Sequence, residues 1–157
     1  MHFAMGSPNP HPGKVEVLRV GDIHRGDYLA IRRRVFIEEQ GVSESLELDG
    51  REGEATAWLA QCAGRPVGTA RARRVDGAIK AERVAVLRAF RRRGIGDKLM
   101  RALESWAFEQ GVDRVVLNAQ ESAIAFYKTM GYEITGAAFE EAGIPHRSMA
   151  KRRAPNP

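Results

Sequence analysis

The chain has 157 residues, of which 43% are hydrophobic and 29% are charged, with a formal net charge of +5 and a pI near 9.8. This length fits one globular domain, which we expect to span residues 14–157. No apolar run reaches the roughly 18 residues of a membrane span, so the composition argues against a membrane protein and predicts a cytoplasmic one.

The positive charge raises the question of a nucleic-acid partner. The basic residues, however, are spread along the chain and mixed with 20 acidic ones. There is no run of basic and aromatic residues typical of RNA binding, and no Cys/His spacing typical of a zinc finger. The four histidines are scattered as well. We therefore expect neither a nucleic-acid partner nor a metal ion.

The chain begins with a stretch that we expect to lie outside the fold. Residues 1–13 contain three prolines and are rich in glycine and histidine, a composition that favours a disordered tail. Residues 14–20 follow, and their alternation of valine with polar side chains predicts a first strand.

A helix is predicted after this strand, because apolar residues recur at helical spacing from Tyr28 onwards. Asp22 or Asp27 is expected to cap its start, and Gly41 to end it. The triplet Arg32-Arg33-Arg34 on this helix is interpreted as its solvated face.

Residues 42–54 are predicted to form an irregular loop that lines the mouth of a substrate site. Their acidic side chains are Glu44, Glu47, Asp49, Glu52 and Glu54. Together with Glu140 and Glu141 these carboxylates hint at a cationic substrate, although solvated acidic side chains are common on any protein.

Three strands are predicted in the middle of the chain, over residues 55–62, 66–75 and 79–86. The first two are separated by a turn of hairpin length, and Asp76-Gly77 between the last two is a strong hairpin signal. The turns therefore predict antiparallel pairing. The single cysteine, Cys62, lies in the first of these strands and is expected to be buried and inert.

A basic turn with two glycines lies between the last of these strands and a long amphipathic helix predicted over residues 94–110. It consists of Arg91, Arg92, Arg93, Gly94, Ile95 and Gly96. Glycine lets the backbone approach a ligand closely, and the first N–H groups of a helix have no intrahelical partner and carry partial positive charge. This combination predicts a site for a diphosphate.

Two other phosphate-binding patterns do not match this turn. The G-x-x-x-x-G-K-[ST] spacing is absent, and Leu99 stands where G-x-G-x-x-G requires its third glycine. Downstream, a strand is predicted over residues 112–118 and a helix over residues 122–130, which Gly131 ends. Beginning with the strand ahead of this turn, the predicted order is strand, helix, strand, helix, strand.

The turn matches [QR]-x-x-G-x-[GA], and here the chain resembles the GNAT family of acyl-CoA-dependent N-acyltransferases. The resemblance runs from about Lys14 to Lys151 and includes residues 125–132, which are similar to the family's A-x-x-[FL]-Y-x-x-x-G-[FY] element. Residues 35–40 and 139–146 resemble a subgroup of small bacterial members whose substrates are generally unassigned. The resemblance implies an α/β (α+β) fold, with a mixed, mostly antiparallel central sheet flanked by helices.

The resemblance also implies that acetyl-CoA is the acyl donor. Backbone groups of Val84, Ala85 and Val86 would hold the acyl group and the pantetheine arm, and the amides of Arg91 to Gly96 would hold the pyrophosphate. Asn118 and Gln120 match positions of polar contacts to pantetheine or to the acceptor, although capping of the next helix explains them as well.

Tyr127 resembles the general acid of the family, which protonates the departing CoA thiolate. A phenol with a pKa of about 10 stays protonated at neutral pH and is available to donate. The alternative for Tyr127 is a packing role beside Phe126 on an apolar helix.

An amine with a pKa near 10.4 must lose a proton before it attacks, which costs about 4 kcal/mol near pH 7.4, so a base is expected. Glu82 is the leading candidate, with a solvent-facing strand position as its alternative. In a regular strand Glu82 would share a side with Val84 and Val86, unless a bulge re-aims it. The other candidate bases are Glu38, Glu39, Asp49, Glu121, Glu140 and His146.

The sequence thus predicts an N-acyltransferase that moves an acetyl or short acyl group to a primary amine by direct attack in a ternary complex. A small-molecule amine is the favoured acceptor, and family members often form homodimers. Two alternatives remain open: a CoA-binding module without turnover, and a basic domain that binds nucleic acid or protein and ignores acyl-CoA.

Overall fold

The computed structural model describes residues 13–155, and in this part of the chain eight strands form one mixed sheet. The strands are β1 (Val15–Arg19), β2 (Thr56–Cys62), β3 (Arg65–Val75), β4 (Ala78–Val86), β5 (Arg114–Gln120), β6 (Glu133–Ile134), β7 (Phe139–Glu141) and β8 (Ile144–Arg152). Their order across the sheet is β1-β2-β3-β4-β5-β8-β6, and β7 pairs with β8 beside this path. This is the mixed, mostly antiparallel α/β architecture that the family resemblance implied.

Four α-helices flank this sheet among the described residues. They are α1 (Arg25–Arg32), α2 (Glu44–Glu47), α3 (Ile95–Glu109) and α4 (Ile124–Thr129). A π-helix, Arg33–Glu39, continues α1, and single 3-10 turns lie at Glu52–Glu54, Arg88–Phe90 and Glu121–Ala123. The tail expected over residues 1–13 lies outside the described residues except for Gly13, and the domain boundary at residue 14 stays a prediction.

The antiparallel meander in the middle of the chain is confirmed, since β1, β2, β3 and β4 pair antiparallel in sequence order. The turn between β3 and β4 has φ of 50° at Asp76 and 78° at Gly77. Two consecutive positive φ values match the twist of a tight hairpin. β4 and β5 are parallel, as expected for strands connected through a helix.

The sheet is packed on both faces, and the two faces of β2 show how. Trp58 and Ala60 belong to the larger core cluster with Leu99 and Leu103 of α3. Ala57 and Leu59 belong to a second cluster with α1. Because neighbouring strand residues point to opposite faces, α3 and α1 lie on opposite sides of the sheet. Cys62 is a buried free thiol, as predicted.

The first helix differs from its prediction. α1 begins after His24, whose side chain makes no capping hydrogen bond, so neither Asp22 nor Asp27 caps it. The α-helical pattern ends at Arg32 and continues as a π-helix, a change that apolar spacing cannot reveal because it adds one residue to a turn. Gly41 follows this helix with φ of 73°, consistent with its predicted role as the stop.

The C-terminal part of the sheet also differs from its prediction. β5 begins at Arg114 and ends at Gln120, two residues later than expected. The hairpin of β7 and β8 was not predicted as a pair of strands, because Phe139–Glu141 lacks an apolar alternation. Its turn is Ala142-Gly143, with φ of 53° and 76°.

Candidate active site

The two central parallel strands separate and open the sheet. Ile79–Ala81 of β4 pairs with Val115–Leu117 of β5, but β4 continues to Val86 and β5 to Gln120. In residues 13–155, no other strand pairs with this free edge of β4. Backbone groups along the edge are therefore available to a ligand that adds to it like a strand.

A β-bulge at Arg83 bends β4 where the strands part. The register passes from Arg71 opposite Glu82 to Thr69 opposite Ala85, so β4 contains one extra residue. Arg83 has φ of 52°, and its carbonyl oxygen accepts a hydrogen bond from the Thr69 hydroxyl at 2.9 Å. The extra residue places Glu82 on the opposite face from Val84, as the bulge considered in the sequence would do.

A cavity of about 490 Å³ opens between the free edge of β4, the start of α3 and α4. We call it the donor cavity. It brings together most of the residues predicted to hold the cofactor: Val84, Ala85, Val86, Arg91, Arg92, Gly94, Ile95, Gly96 and Tyr127. Arg93 and Asn118 are not part of its lining.

The turn ahead of α3 has the shape of an anion site. Gly94 is the N-cap of α3 with φ of 79°, and no atom lies within 4 Å of the position that a Cβ there would occupy. At Gly96 a Cβ would lie 3.3 Å from Phe126 of α4. The amide groups at the start of the 15-residue helix α3 therefore border open space on the donor cavity.

The three arginines of this turn have different surroundings. Arg91 donates to the Val86 carbonyl oxygen and binds Glu39 through two contacts of 2.8 Å. Arg92 lines the donor cavity without a salt bridge to any described residue. Arg93 lies over the ring of Phe90, 5.4 Å from its centroid. Within residues 13–155, Arg92 is thus the arginine of this turn that lines the cavity without an ion pair.

A second cavity, of about 330 Å³, lies on the other side of Tyr127. It is bounded by the opened strands β4 and β5, the π-helix and the β7–β8 hairpin, and we call it the acceptor cavity. Glu82, Asn118 and His146 line it. The two cavities share Val84, Ala123 and Tyr127 in their walls, so they meet at these side chains.

Tyr127 is 7% exposed and packs edge-on against Phe126 and Tyr132. Burial raises the pKa of its hydroxyl, so the side chain stays protonated. The hydroxyls of the other two tyrosines donate to carboxylates, that of Tyr28 to Glu52 and that of Tyr132 to Glu104. Among the described carboxylates none accepts a hydrogen bond from Tyr127. The ring of Tyr127 therefore packs in the core, while no carboxylate holds its hydroxyl.

The acidic segment ahead of β2 is tied to buried arginines. Arg32, expected on a solvated face, is instead fully buried. Its guanidinium binds Glu47 at 2.8 Å and also Glu52, and lies over the Tyr28 ring at 5.1 Å. Arg71, also fully buried, binds Glu52 as well. A carboxylate partner makes such burial tolerable, which composition alone cannot show.

Glu82 is neither solvent-facing nor free. Its side chain is 9% exposed and accepts hydrogen bonds from Arg71 at 3.0 Å and from Arg73 at 2.7 Å. Although burial alone would raise it, the pKa of Glu82 is lowered to about 2 by these guanidinium groups, with a smaller effect of Lys80. A carboxylate with such a low pKa is a weak base and stays deprotonated at neutral pH.

The sequence analysis missed Arg71 and Arg73. The signal was present, since two arginines at alternate positions of one strand lie on the same face. Their register places them beside Glu82 of the neighbouring strand. Arginine in a strand is more often solvated, so the residue type alone does not predict this pairing.

This ion pairing predicts a pH-dependent stability. Because the pKa of Glu82 in the folded state lies below its ordinary value of 4.5, its stabilisation is complete above about pH 5 and is lost as the pH falls to about 2. The difference is worth about 3 kcal/mol. Denaturant unfolding of wild type and Glu82→Gln should therefore give free energies that converge by that amount as the pH falls. The exposed control Glu109→Gln should follow the wild type, and parallel curves for Glu82→Gln would contradict the assignment.

Asn118 and Gln120 do not cap the following helix, because other partners hold both side chains. Asn118 donates to Glu141 and accepts from Ser148, each at 3.2 Å. Gln120 donates to Gln40 at 2.8 Å, which joins the end of β5 to the end of the π-helix across the acceptor cavity. Asn118 thus lies in the wall of the acceptor cavity, and its predicted contact to pantetheine or to the acceptor stays a prediction.

In residues 13–155 no group of histidine, cysteine and carboxylate side chains is arranged to hold a metal ion. No helix in the same residues has the length and apolar character needed to cross a membrane.

Comparison with known proteins identifies relatives over most of this chain. The family model described as "Acetyltransferase (GNAT) domain" matches residues 19–153. The uncharacterized N-acetyltransferase YjcF of Bacillus subtilis is 40% identical over 126 residues, which cover 80% of this chain and 90% of YjcF.

Solved structures agree with this match. An acyl-CoA N-acyltransferase from Pseudomonas aeruginosa superimposes with a TM-score of 0.76 at 26% identity, covering 90% of this chain and 100% of the other. An aminoglycoside 6'-N-acetyltransferase complexed with coenzyme A gives a TM-score of 0.73 at 18% identity, covering 90% and 99%. At that identity the likeness concerns the fold alone.

Proposed function

Because the chain belongs to the GNAT family and is an acetyl-CoA-dependent N-acetyltransferase, we propose that it transfers an acetyl or short acyl group to a small-molecule primary amine. The transfer takes place by direct attack of the amine while both substrates are bound, in the cytoplasm.

One observation carries this proposal: the donor and acceptor cavities meet at Val84 and Tyr127. A donor in one cavity and an amine in the other would bring their reacting atoms together at this shared wall. Holding two reactants in contact replaces a bimolecular encounter by a reaction within one complex. No covalent enzyme intermediate is needed.

The donor cavity fits coenzyme A by its own features. The amides at the start of α3, with the open space at Gly94 and the charge of Arg92, suit a pyrophosphate. The free edge of β4 suits an extended pantetheine arm, because its backbone groups from Val84 to Val86 have no β5 partner. Acetyl-CoA bound here supplies the activated thioester, and amides of this edge would polarise its carbonyl group.

Tyr127 is proposed as the group that protonates the departing sulfur. Burial raises the pKa of the Tyr127 hydroxyl, and the same dry surroundings raise the proton affinity of a thiolate formed beside it, since burial disfavours any anion. Burial therefore shifts the proton affinities of the Tyr127 oxygen and of the departing thiolate in the same direction. The shared position of Tyr127 between the two cavities supports this role.

Glu82 keeps a place in the acceptor cavity, but its pKa near 2 does not suit a proton acceptor. Moving a proton to such a carboxylate from an ammonium group with a pKa near 10.4 is uphill by about 11 kcal/mol. We therefore assign to Glu82 the role of ion-pair partner of Arg71 and Arg73. Another group must receive the amine proton.

A small molecule suits the acceptor cavity, whose volume of about 330 Å³ matches the lower range of ligand pockets. One structural neighbour is an aminoglycoside 6'-N-acetyltransferase, and an aminoglycoside is a small-molecule amine. The carboxylates Glu47, Asp49 and Glu52 no longer argue for a cationic acceptor, because buried arginines pair with them. Because members of the family often form homodimers, the proposal includes a homodimer on that ground alone.

The test has two parts. Acetyl-CoA should raise the melting temperature of the protein in a concentration-dependent way, and a panel of primary amines should then release free thiol from acetyl-CoA. A thermal shift without thiol release would favour a CoA-binding module without turnover. Absence of any shift at saturating acetyl-CoA would contradict the proposed donor site.

A further inference from the structure

The acceptor cavity contains side chains that the reaction described so far does not use. His146 lines this cavity at the start of β8, where the hairpin of β7 and β8 crosses the end of β5. It lies opposite Gln120 in the sheet register and stacks on Phe139, with 5.9 Å between the ring centroids. The residue is 6% exposed. The fold therefore holds an imidazole firmly in the wall of the cavity.

The hydrogen bond of His146 defines its tautomer. Nδ1 lies 2.7 Å from the carbonyl oxygen of Ile144. Because a carbonyl oxygen only accepts, Nδ1 carries the proton of the neutral ring and Nε2 carries a lone pair. Among the described residues Nε2 has no hydrogen-bond partner, since Glu141 Oε2 lies 3.9 Å away. Nε2 is thus a proton acceptor that no described residue occupies.

Glu141 differs from the other carboxylates of the acceptor cavity. Glu47, Asp49 and Glu82 each bind at least one arginine. Glu141, within the described part of the chain, pairs with no arginine or lysine. Its side chain is 50% exposed, and its Oε1 accepts from Asn118 at 3.2 Å. It keeps a negative charge at the entrance of the cavity, beside His146.

We propose that His146 receives the proton of the acceptor amine and that Glu141 attracts this amine in its ammonium form. The acceptors are then primary amines that carry a positive charge at neutral pH. The inference rests on the proposed function, because it assigns a role within the same acyl transfer.

The proton balance of this step is complete. The lone pair of His146 Nε2 takes one proton from R–NH3+, and the resulting R–NH2 attacks the thioester carbonyl carbon. The C–N bond forms and the C–S bond breaks, and the sulfur leaves with the electron pair and takes a proton from Tyr127. The amide nitrogen loses its second proton, which restores the Tyr127 hydroxyl. His146 releases the first proton to solvent, and the charge of Glu141 stabilises the ring while it is protonated.

The other charged groups that face the acceptor cavity come from the segment ahead of β2 and from β4. They are Glu47, Asp49, Lys80, Glu82 and Arg83. All of them take part in salt bridges with one another or with Arg32, Arg71 and Arg73. Glu141 has no such salt bridge among the described residues, and its carboxylate lies 3.9 Å from His146 Nε2. Its charge is therefore the one that interacts directly with a protonated His146.

The test compares the wild type with His146→Asn and His146→Gln. Thiol release is measured with butylamine, 1,4-diaminobutane, lysine amide and kanamycin from about pH 6 to about pH 10, the range below the pKa of a lysine-like amine. Both variants should lose ~100-fold in kcat/KM near neutral pH. The loss should shrink as the pH approaches the pKa of the amine, because the amine then deprotonates without a base. Their acetyl-CoA affinity should be unchanged.

Glu141→Gln should raise the KM of these cationic amines by roughly 3- to 10-fold, with a smaller effect on kcat, because the charge attracts the acceptor without taking its proton. Arg147→Gln is the matched control. Arg147 follows His146 on β8 and faces the other side of the sheet, so its kinetics should equal those of the wild type.

The outcomes separate this inference from the proposed function. An active wild type whose His146 variants lose the same factor at every pH, or lose nothing, overturns the role of His146 and leaves the acyltransferase intact. A wild type that binds acetyl-CoA but releases no thiol with any amine overturns the proposed turnover and this inference with it.

Discussion

Replacing Tyr127 with phenylalanine should lower kcat by ~100-fold or more, because the departing sulfur would lose the proton donor that we propose for it. The change removes one oxygen atom from a side chain that is 7% exposed and packed edge-on against Phe126 and Tyr132. The rings keep their contacts, so the fold and the affinity for acetyl-CoA should change little. Steady-state thiol release at saturating donor and acceptor measures kcat directly.

Tyr132→Phe is the matched control for this prediction. Tyr132 is also a buried tyrosine of the same cluster, but its hydroxyl donates to Glu104 at 2.7 Å. Its loss should destabilise the protein by about 1 to 3 kcal/mol, because Glu104 keeps a buried carboxylate with one partner fewer. Its kcat should stay near that of the wild type. A Tyr127→Phe enzyme with undiminished kcat would remove Tyr127 from the reaction.

Replacing Gly94 with valine should weaken acetyl-CoA binding by ~10- to 100-fold. Gly94 is the N-cap of α3, where a side chain would occupy the space that borders the helix amides. Keeping the phosphates away from these amides costs about one charge-assisted hydrogen bond, worth roughly 1.5 to 3 kcal/mol. Isothermal titration with coenzyme A measures the change in Kd.

Valine at Gly94 also strains the backbone, and Gly77→Val provides the control for this effect. Gly77 lies in the β3–β4 turn with φ of 78°, against 79° at Gly94, and a Cβ at either position meets no atom within 4 Å. Both variants should lose a similar amount of stability, but Gly77→Val should bind coenzyme A normally. Equal affinity of the two variants would show that the start of α3 does not hold the phosphates.

The sequence predicted the strands of the meander and the turn ahead of α3 because local signals specify them. The hairpin turn at Asp76-Gly77 requires positive φ. The N-cap position of α3 also has positive φ, and the glycine at position 94 allows it. The meander and the turn depend on residues that are near one another in the chain. The role of Tyr127 came from the resemblance to the family.

The features that the sequence could not predict depend on contacts between distant residues. Arg32 is buried because Glu47, 15 residues away, reaches it. Glu82 has its low pKa because β3 brings two arginines to it across a bulged register. The place of His146 opposite Gln120 depends on a hairpin whose strands carry no apolar alternation. No local pattern encodes such distances.

The central claim is that amides at the start of α3 hold the pyrophosphate while the thioester reaches the wall shared by the two cavities. A crystal structure with bound coenzyme A tests it most directly. We expect phosphate oxygens within about 3.2 Å of backbone nitrogens of residues 94–96, and the sulfur beside the Tyr127 hydroxyl. A pyrophosphate bound elsewhere, or a sulfur remote from Tyr127, would contradict the account.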